Sequence, residues 1–589
     1  MKTFLKYVLA TITGIIIVSI LFIVIMLASF SAMMVSGDKP ASVAENSVLV
    51  LKAGVSIPDK GSKLPYAGID LINMTITPAP GLNEILHNLE KAATDDKIKG
   101  VLIENGMVPS GWATTEELRE GLKKFRESGK FVIAWSDYLL MQEGYYLSTA
   151  ADKIYINPSS TVDFKGLSGE VLFYKNALEK LGVEVQVIRH GKFKGAVEPY
   201  ILDELSKENR EQISTYVGSI WSHVLADISA ARGISLEKLN SIADNLTGYV
   251  APGALASGLV DGLLYHDQLI DTLKIRSGLT TDDKITMVPM HKYTRVPESK
   301  KTPFSRKKIS VVYASGSIVN GKGGETSIGG DSFRDVIRKE RKDTAVKAIV
   351  LRVNSRGGSA IASDMIWREL DLAAKDKPVV ISMGNYAASG GYFISAPGTK
   401  IFASPVTITG SIGVFGLVPN AGKLMEQKLG VSFETVETNA NSDFPSVYRP
   451  MNVVEKEAMQ RTVENTYSDF VNKVSSGRKM TFNAVDSIAQ GRVWSGADAM
   501  RLGLVDGVGG LTAAIEEAAR LAGIENYSVR ELPVSEDPLT RMISQFGAEI
   551  KMKILKNELG EFERIFDELK EIRDLSGIQT RLPYFIEIH

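Results

Sequence analysis

The chain has 589 residues, of which 44% are apolar and 23% are charged, which is the composition of an ordinary globular protein. It carries 68 Lys and Arg against 69 Asp and Glu, so it lacks the basic excess that is typical of nucleic-acid-binding proteins. It has no cysteine, which excludes disulfides, thiolate nucleophiles and cysteine-ligated metal sites.

The N-terminus carries a long apolar segment. Lys2 and Lys6 are the only charges before Asp38, so residues 7–37 form an uncharged run. About 20 apolar residues span a bilayer, whereas a cleavable signal peptide has an apolar region of roughly 7–15. We predict an uncleaved signal anchor with its lysines in the cytoplasm, although residues 29–37 could still hold a cleavage site. In a bacterium, we expect such a chain to be a single-pass protein of the inner membrane with a periplasmic body.

The rest of the chain is duplicated. Four segments of the first half recur in the second half, in the same order and at an almost constant offset of about 247 residues. A period of this length is far longer than a solenoid repeat, so a whole domain has been duplicated. The paired segments are 97–106 with 345–354, 143–162 with 390–409, 181–195 with 429–443, and 251–263 with 494–508.

Each half has the pattern of a strand, a loop, a helix and a second strand. Such alternation indicates βαβ units, and hence an α/β fold with a mostly parallel sheet. The predicted elements are strand Ile98–Ile103, helix Thr115–Glu127 and strand Phe131–Trp135, repeated as Ala348–Val353, Ser363–Ala374 and Val379–Met383.

The composition also marks the boundaries between parts. Two prolines and a cluster of basic residues indicate a linker at 292–308. Residues 549–575 have helical periodicity and mixed charge, which favours an amphipathic helix. The predicted parts are the N-terminus with its anchor at 1–37, the repeats at 45–291 and 309–535 on either side of the linker, and a helical extension at 536–589.

Two glycine loops of the second half could carry chemistry. Gly357 and Gly358 follow a strand and precede a helix, where their backbone N–H groups could bind an oxyanion. Ser389 lies at the start of another predicted helix, where the helix dipole favours negative charge. A plain tight turn and a serine N-cap are the ordinary explanations of these features.

The duplication distinguishes between these explanations. Ser389 aligns with Gln142, and the Gly357–Gly358 pair aligns with residues 109–110, which are Pro and Ser. If these residues served only to form turns, both halves would need them. We therefore predict an oxyanion site and a serine nucleophile in the second half.

The base that would activate this serine is a lysine by the same comparison. None of the six histidines forms a pair at metal-ligand spacing or accompanies the serine in a known pattern. A neutral lysine can act as the base if burial lowers its pKa. Lys192 and Lys194 both align with other residue types in the second half, and spacing alone does not choose between them.

Taken together, these segments resemble the signal peptide peptidase SppA (protease IV) family in its long, two-repeat bacterial form. The resemblance extends from about residue 45 to residue 530 and implies two tandem ClpP/crotonase-like repeats built of ββα units. The segments that carry it are 174–200, 351–359, 384–416 and 491–511.

The family resemblance also implies the site and the activity. It implies a serine endopeptidase that degrades cleaved signal peptides and other apolar peptides at the membrane as a homotetramer, without cofactor or metal. It assigns the nucleophile to Ser389, the general base and acid to Lys194, a lysine-orienting role to Ser411, and the oxyanion hole to Gly357, Gly358 and Gly390. One departure is Arg356, where the family usually has the proline that stiffens the turn.

Two other functions compete with the peptidase. One is a crotonase-like acyl-CoA or thioester enzyme, because Gly-Gly loops also stabilise thioester enolates. The other is a non-catalytic assembly protein. The predicted anchor and the difference between the halves at Ser389 and Lys194 favour the peptidase.

Overall fold

The computed structural model describes residues 6–7, 10–22, 43–61, 69–70, 75–76, 80–104, 106, 108–298, 305–324, 326–533, 577–582 and 587–588. Residues 10–22 form an N-terminal helix whose side chains are exposed. Within these ranges, no helix combines the length and the hydropathy needed to cross a bilayer. Residues 23–37 of the predicted anchor lie outside the described residues.

The strands are numbered in chain order. The first half contains β1 Ser47–Lys52, β2 Ile69–Asp70, β3 Thr75–Ile76, β4 Ile98–Glu104, β5 Phe131–Ser136, β6 Leu139–Met141, β7 Lys153–Ile156, β8 Thr161–Asp163, β9 Gly169–Glu170, β10 Glu184–Arg189, β11 Gly262–Leu263 and β12 Met287–Pro289. The second half contains β13 Lys308–Ser315, β14 Ser317–Val319, β15 Ser327–Gly329, β16 Val346–Ser355, β17 Gly357–Ser359, β18 Val379–Ala388, β19 Lys400–Ala403, β20 Ile408–Gly410, β21 Phe415–Asn420, β22 Val493–Ser495, β23 Gly507–Val508 and β24 Ser528–Leu532. The C-terminal region adds β25 Gly577–Arg581 and β26 Glu587–Ile588.

The helices of the body are numbered in the same way. The first half contains α1 Leu82–Ala93, α2 Trp112–Arg126, α3 Gln142–Ser148, α4 Lys175–Leu181, α5 Glu198–Ile201, α6 Lys207–Arg232, α7 Leu236–Asn245, α8 Ala251–Ser257, α9 His266–Arg276 and α10 Met290–Tyr293. The second half contains α11 Gly330–Lys342, α12 Ala360–Asp376, α13 Gly390–Ser395, α14 Val453–Arg478, α15 Phe482–Ile488, α16 Gly496–Arg501 and α17 Leu511–Ala522. Short turns of other helix types lie at Gly195–Val197 and Leu424–Lys428.

The two halves contain the same parallel sheet. In the first half the strand order is β12-β1-β4-β5-β7-β11, and in the second half it is β24-β13-β16-β18-β19-β23. Every neighbouring pair in both series is parallel. The central strands are continuous apolar runs because helices cover parallel sheets on both faces. The predicted duplication and the α/β class are confirmed.

The correspondence extends to the strands beside the candidate site. In the first half, β6 pairs with β8 from Leu139 opposite Thr161 onward. In the second half, the end of β18 pairs with β20 from Tyr386 opposite Ile408 onward, which is the same register at the 247-residue offset. The strand, helix and second strand predicted for each repeat all form, and each is longer than predicted, although α2 begins three residues earlier and ends one residue earlier, at Arg126.

The two halves share a core and a buried ion network. Ala388 and Val493 of the second half pack into the apolar core of the first half. Arg352, which is wholly buried in β16, lies 2.7 Å from Asp59 and 2.6 Å from Glu117 of the first half. Removing one partner would leave a buried charge uncompensated, so this network fixes the first half against the strand that leads to the glycine loop.

The structure differs from the predictions in the described parts of the linker and of the C-terminal region. Helix α10 reaches into the predicted linker, and residues 299–304 lie outside the described residues. Residues 534–576, which include the predicted amphipathic helix, also lie outside them. The predicted helical extension does not continue to the C-terminus, because residues 577–581 form a strand.

Candidate active site

Ser389 occupies a sharp turn between a strand and a helix. It follows β18 and is the N-cap of α13, with φ 54° and ψ −113°. A non-glycine residue at positive φ is strained, and such strain is concentrated at functional sites. The side chain is wholly buried, and the backbone N–H donates to the Gly410 carbonyl at 2.8 Å. The turn thus holds the hydroxyl at a fixed point inside the molecule.

Lys194 reaches the same point from the first half of the chain. It follows β10, and its Nζ lies 2.8 Å from the Ser389 Oγ. The same nitrogen lies 3.1 Å from the Ser411 Oγ and 3.2 Å from the Ser411 carbonyl oxygen. Burial lowers the pKa of Lys194 well below its ordinary value, because the charged form loses its hydration. The structure therefore brings Ser389, Lys194 and Ser411 together, with the lysine poised to be neutral.

A loop of the second half supports the Lys194 backbone. Gly491 has φ +84°, and a Cβ at this position would lie 2.7 Å from the Lys194 Cα. Only glycine allows this close approach. Gly491 is a site-supporting residue that the sequence does not reveal, although it begins the segment 491–511 that carries the resemblance.

The other candidate bases point elsewhere. Lys192 is exposed, and its Nζ lies 5.4 Å from the centre of the Phe193 ring. The His190 Nδ1 lies 3.1 Å from Glu464, and its ring stacks on Tyr467. Of the two lysines that spacing left open, Lys194 is the one beside Ser389.

The glycine loop lies against the start of α13. Gly357 has φ +96°, and a Cβ on it would lie 2.6 Å from the Gly390 backbone nitrogen. The Ser355 hydroxyl accepts from the Gly357 N–H at 3.1 Å and donates to the Gly316 carbonyl at 2.6 Å. These bonds brace the turn on both sides. They provide a source of rigidity in the loop that contains Arg356.

The Arg356 side chain packs on Tyr386 of β18. Its guanidinium carbon lies 4.3 Å from the centre of the Tyr386 ring, a cation–π distance. Arg356 also lines a cavity of about 590 Å³ that includes Gln142 and Glu143, the first-half counterparts of Ser389 and Gly390.

The counterpart residues in the first half have structural partners. The Gln142 side chain accepts from the Lys165 and Gly166 backbones and donates to the Gly166 carbonyl at 2.9 Å. Glu143 accepts from the Thr115 hydroxyl at 2.5 Å, and burial raises its pKa to about 7. The first half thus has the same scaffold with Gln142 at the position of Ser389.

One cluster among the described residues has the donor types of a metal site. Glu116, His223 and Asp227 have ligand atoms within 4.8 Å of one another. However, Asp227 accepts from Arg119 at 2.8 Å and from Tyr146 at 2.6 Å. A guanidinium in the cluster already compensates the carboxylates, so we assign no metal or cofactor here.

These features define a class of protein in which a buried serine at a strand–helix turn faces a buried lysine and a glycine-rich loop. Residues 124–280 and 371–525 each match the model of peptidase family S49. The chain belongs to this family and is a protease, which favours the peptidase over the acyl-CoA enzyme.

Relatives in two groups of organisms match most of the chain. Protease 4 of Salmonella typhi is 36% identical over 507 residues, which are 84% of this chain and 81% of that protein. The chloroplastic serine protease SPPA of Arabidopsis thaliana is 32% identical over 549 residues, 92% of this chain and 78% of that protein. Among solved structures, a mutant of ClpP1 from Listeria monocytogenes covers 36% of this chain and 95% of its own, with 12% identity and a TM-score of 0.24.

Proposed function

We propose that the chain is a membrane-anchored serine endopeptidase that uses a Ser389–Lys194 dyad to hydrolyse apolar peptides, among them signal peptides released in the membrane. The observation that carries the proposal is the 2.8 Å distance between the Lys194 Nζ and the Ser389 Oγ in a wholly buried site. A lysine held neutral by burial beside a serine hydroxyl is the arrangement that general-base activation requires.

The reaction follows from this geometry. The neutral Lys194 amine accepts the Ser389 proton while the Oγ attacks the peptide carbonyl. Backbone N–H groups of Gly358 and Gly390 stabilise the oxyanion. The Lys194 ammonium then protonates the leaving amine, and water hydrolyses the acyl-enzyme by the reverse sequence of proton transfers.

Ser411 is the positioning residue in this mechanism. A neutral amine has two N–H donors and one lone pair. The Ser411 hydroxyl and carbonyl oxygens, at 3.1 and 3.2 Å, accept from the two N–H groups. The lone pair then points to the Ser389 hydroxyl.

A serine-reactive phosphonate probe tests the nucleophile directly. We expect the full chain in detergent to be labelled on Ser389, as mapped by peptide mass spectrometry. Labelling should follow the deprotonation of Lys194 and increase with pH. Ser363, another buried serine on α12, is the internal control and should stay unlabelled. Labelling of Ser363 with Ser389 unmodified would contradict the assignment.

The exposure of the N-terminal helix supports the anchor. Ile15, Ile16, Ile17 and Val18 are 61%, 52%, 60% and 66% exposed. Successive residues of a helix point about 100° apart, so these four side chains lie all round the helix, which has no polar face there to turn to water. A bilayer is the solvent that suits such a helix, and the lysines that precede it place the N-terminus in the cytoplasm. We propose a bacterial inner membrane with the catalytic body in the periplasm.

Membrane flotation tests the anchor. We expect the full chain to float with liposomes and to resist extraction by carbonate at high pH. A variant that lacks residues 1–42 should remain in the soluble fraction. Flotation of the shortened variant to the same extent would place the membrane contact elsewhere on the body.

Strand pairing between the halves supports a homo-oligomer. Within the chain, β10 of the first half pairs with β21 of the second half. The counterparts of these strands at the repeat offset are residues 432–437 and 168–173. Residues 432–437 form no strand and are mostly exposed, and Val436 is 96% exposed. Pairing of these two segments between neighbouring chains would repeat the internal contact head to tail and close a ring, for which we propose four copies.

A charged side chain within residues 432–437 tests the proposed assembly. We expect Val436→Asp to shift the detergent-solubilised chain from a tetramer to smaller species, as measured by light scattering after size exclusion. Val508→Asp is the matched control, because Val508 is also an exposed valine, at 53%, and lies on β23 outside this segment. Tetramers in both variants would exclude residues 432–437 from the interface.

A further inference from the structure

The C-terminal strand of the chain lies beside the catalytic serine. Residues 577–581 form β25, which inserts between β17 and β21 and is antiparallel to both. Gly358 of the oxyanion loop is opposite Thr580, and Phe415 is opposite Gln579. The segment therefore joins the glycine loop and the neighbouring strand into one sheet.

The Thr580 carbonyl lies close to the glycine loop and to the residue that follows Ser389. A Cβ built on Gly357 would be 2.1 Å from the Thr580 carbonyl oxygen and 2.6 Å from the Gly390 backbone nitrogen. Both atoms thus lie beside the same point, between the oxyanion loop and the start of α13. The Thr580 hydroxyl also donates to the Gly358 carbonyl at 3.1 Å.

The segment is buried and is hydrogen-bonded to the residues around it. Thr580 is wholly buried, Gln579 is 8% exposed and Leu582 is 9% exposed. Leu582 packs into the core of the first half, and its N–H donates to the Arg356 carbonyl at 2.6 Å. An extended peptide from elsewhere could not enter while this strand is in place.

The slot itself has the properties of a peptide-binding cleft. Without β25, the facing edges of β17 and β21 would present unpaired backbone N–H and C=O groups. Such edges bind extended peptides by strand addition, which recognises the backbone and tolerates many sequences. β17 itself, together with the residues that follow β18, brings the proposed oxyanion donors and Ser389 to this slot.

We propose that residues 577–582 are a built-in competitive occupant of the peptide cleft, and that a substrate must displace them and bind in the same antiparallel register. This inference rests on the proposed peptidase function. The occupied state is closed to substrate, so the apparent affinity for peptides is reduced by the fraction of molecules in which the strand is seated.

A single substitution in the full chain tests the occupant. Thr580→Pro removes the backbone N–H and disfavours the strand pairing. Thr580→Val keeps the backbone N–H and allows the strand pairing. With an apolar peptide amide as substrate, we expect Thr580→Pro to lower KM about tenfold with kcat unchanged, since only the competitor is weakened. Thr580→Val should stay within about twofold of the parent chain. The intact mass of each preparation confirms that the chains compared still have their C-termini.

A binding measurement separates this inference from the catalytic one. A fluorescent peptide with the sequence of residues 577–589 is titrated into the full chain carrying Ser389→Ala and Thr580→Pro, and anisotropy is recorded. We expect saturable binding, and no binding of the same peptide with proline at position 580. If Thr580→Pro hydrolyses substrate with an unchanged KM and the peptide does not bind, the occupant is refuted and the peptidase stands. If the peptide binds and no variant hydrolyses substrate, the occupant stands and the proposed function fails.

Discussion

Replacing Lys194 by methionine is expected to abolish peptide hydrolysis and to stabilise the fold at neutral pH. Methionine has a similar length and fills the same space without an amine. The wild-type side chain is wholly buried and has a pKa lowered by burial. The cost of keeping this amine in an apolar site disappears in the variant, together with the base that activates Ser389.

The sign of the pH dependence follows from the lowered pKa. Between the folded pKa of Lys194 and its ordinary value near 10.4, the unfolded chain binds a proton that the folded chain does not bind. The stability contributed by this site in the wild type therefore increases as the pH rises through that window. We expect the melting temperature of Lys194→Met to exceed that of the wild type, by a margin that is larger at pH 7 than at pH 10.

A neighbouring lysine provides the control. Lys192 is exposed, so Lys192→Met should change neither the activity nor the pH dependence of the melting temperature. In the wild type, kcat/KM should increase with pH through the lowered pKa of Lys194, because the neutral amine is the base. If melting curves of Lys194→Met and the wild type had the same pH dependence, Lys194 would be charged in the fold and could not be the base.

The sequence was most informative where the two halves could be compared. The buried strands β4 and β16 are long apolar runs at the same position of each repeat, so their pairing in parallel sheets could be predicted. The prediction of Ser389 rests on the presence of Gln142 at the same position of the first repeat. In the structure Gln142 bonds a loop backbone, which explains why the scaffold tolerates the exchange.

The choice of lysine could not be read from the spacing. Lys192 and Lys194 are two residues apart, which would place them on one face of a strand. The chain instead turns at Gly191, which has φ +85°, and enters a short helical turn after Lys194. One lysine is consequently exposed and the other is buried. The turn depends on a close contact with the 490–491 loop of the other half, a tertiary effect that local patterns do not encode.

Strand β25 could not be predicted from the sequence for a similar reason. Residues 577–581 are few, and they follow a long stretch with helical periodicity, so the sequence favours a helical extension. Their strand conformation depends on two partner strands that are far away in the sequence. The buried ion network of Arg352 could not be predicted either, because a single arginine in a strand does not reveal that its carboxylate partners come from the other half.

Replacing Ser389 by alanine is expected to lower kcat by roughly 10⁴-fold or more, because the variant lacks the nucleophile of the acyl-enzyme route. The fold should persist, since the Ser389 backbone bond to Gly410 does not involve the side chain. Substrate binding should also persist, so the KM of any residual activity should change little.

The double variant is the sharper test of a dyad. If Ser389 and Lys194 act as one unit, Ser389→Ala combined with Lys194→Met should be no slower than the slower single variant, because either change already removes the shared step. Single-turnover rates with an activated apolar peptide ester would measure this. Two independent sites would instead multiply their losses, and a double variant that is slower than both single variants by the full product would show that the 2.8 Å contact is not the catalytic unit.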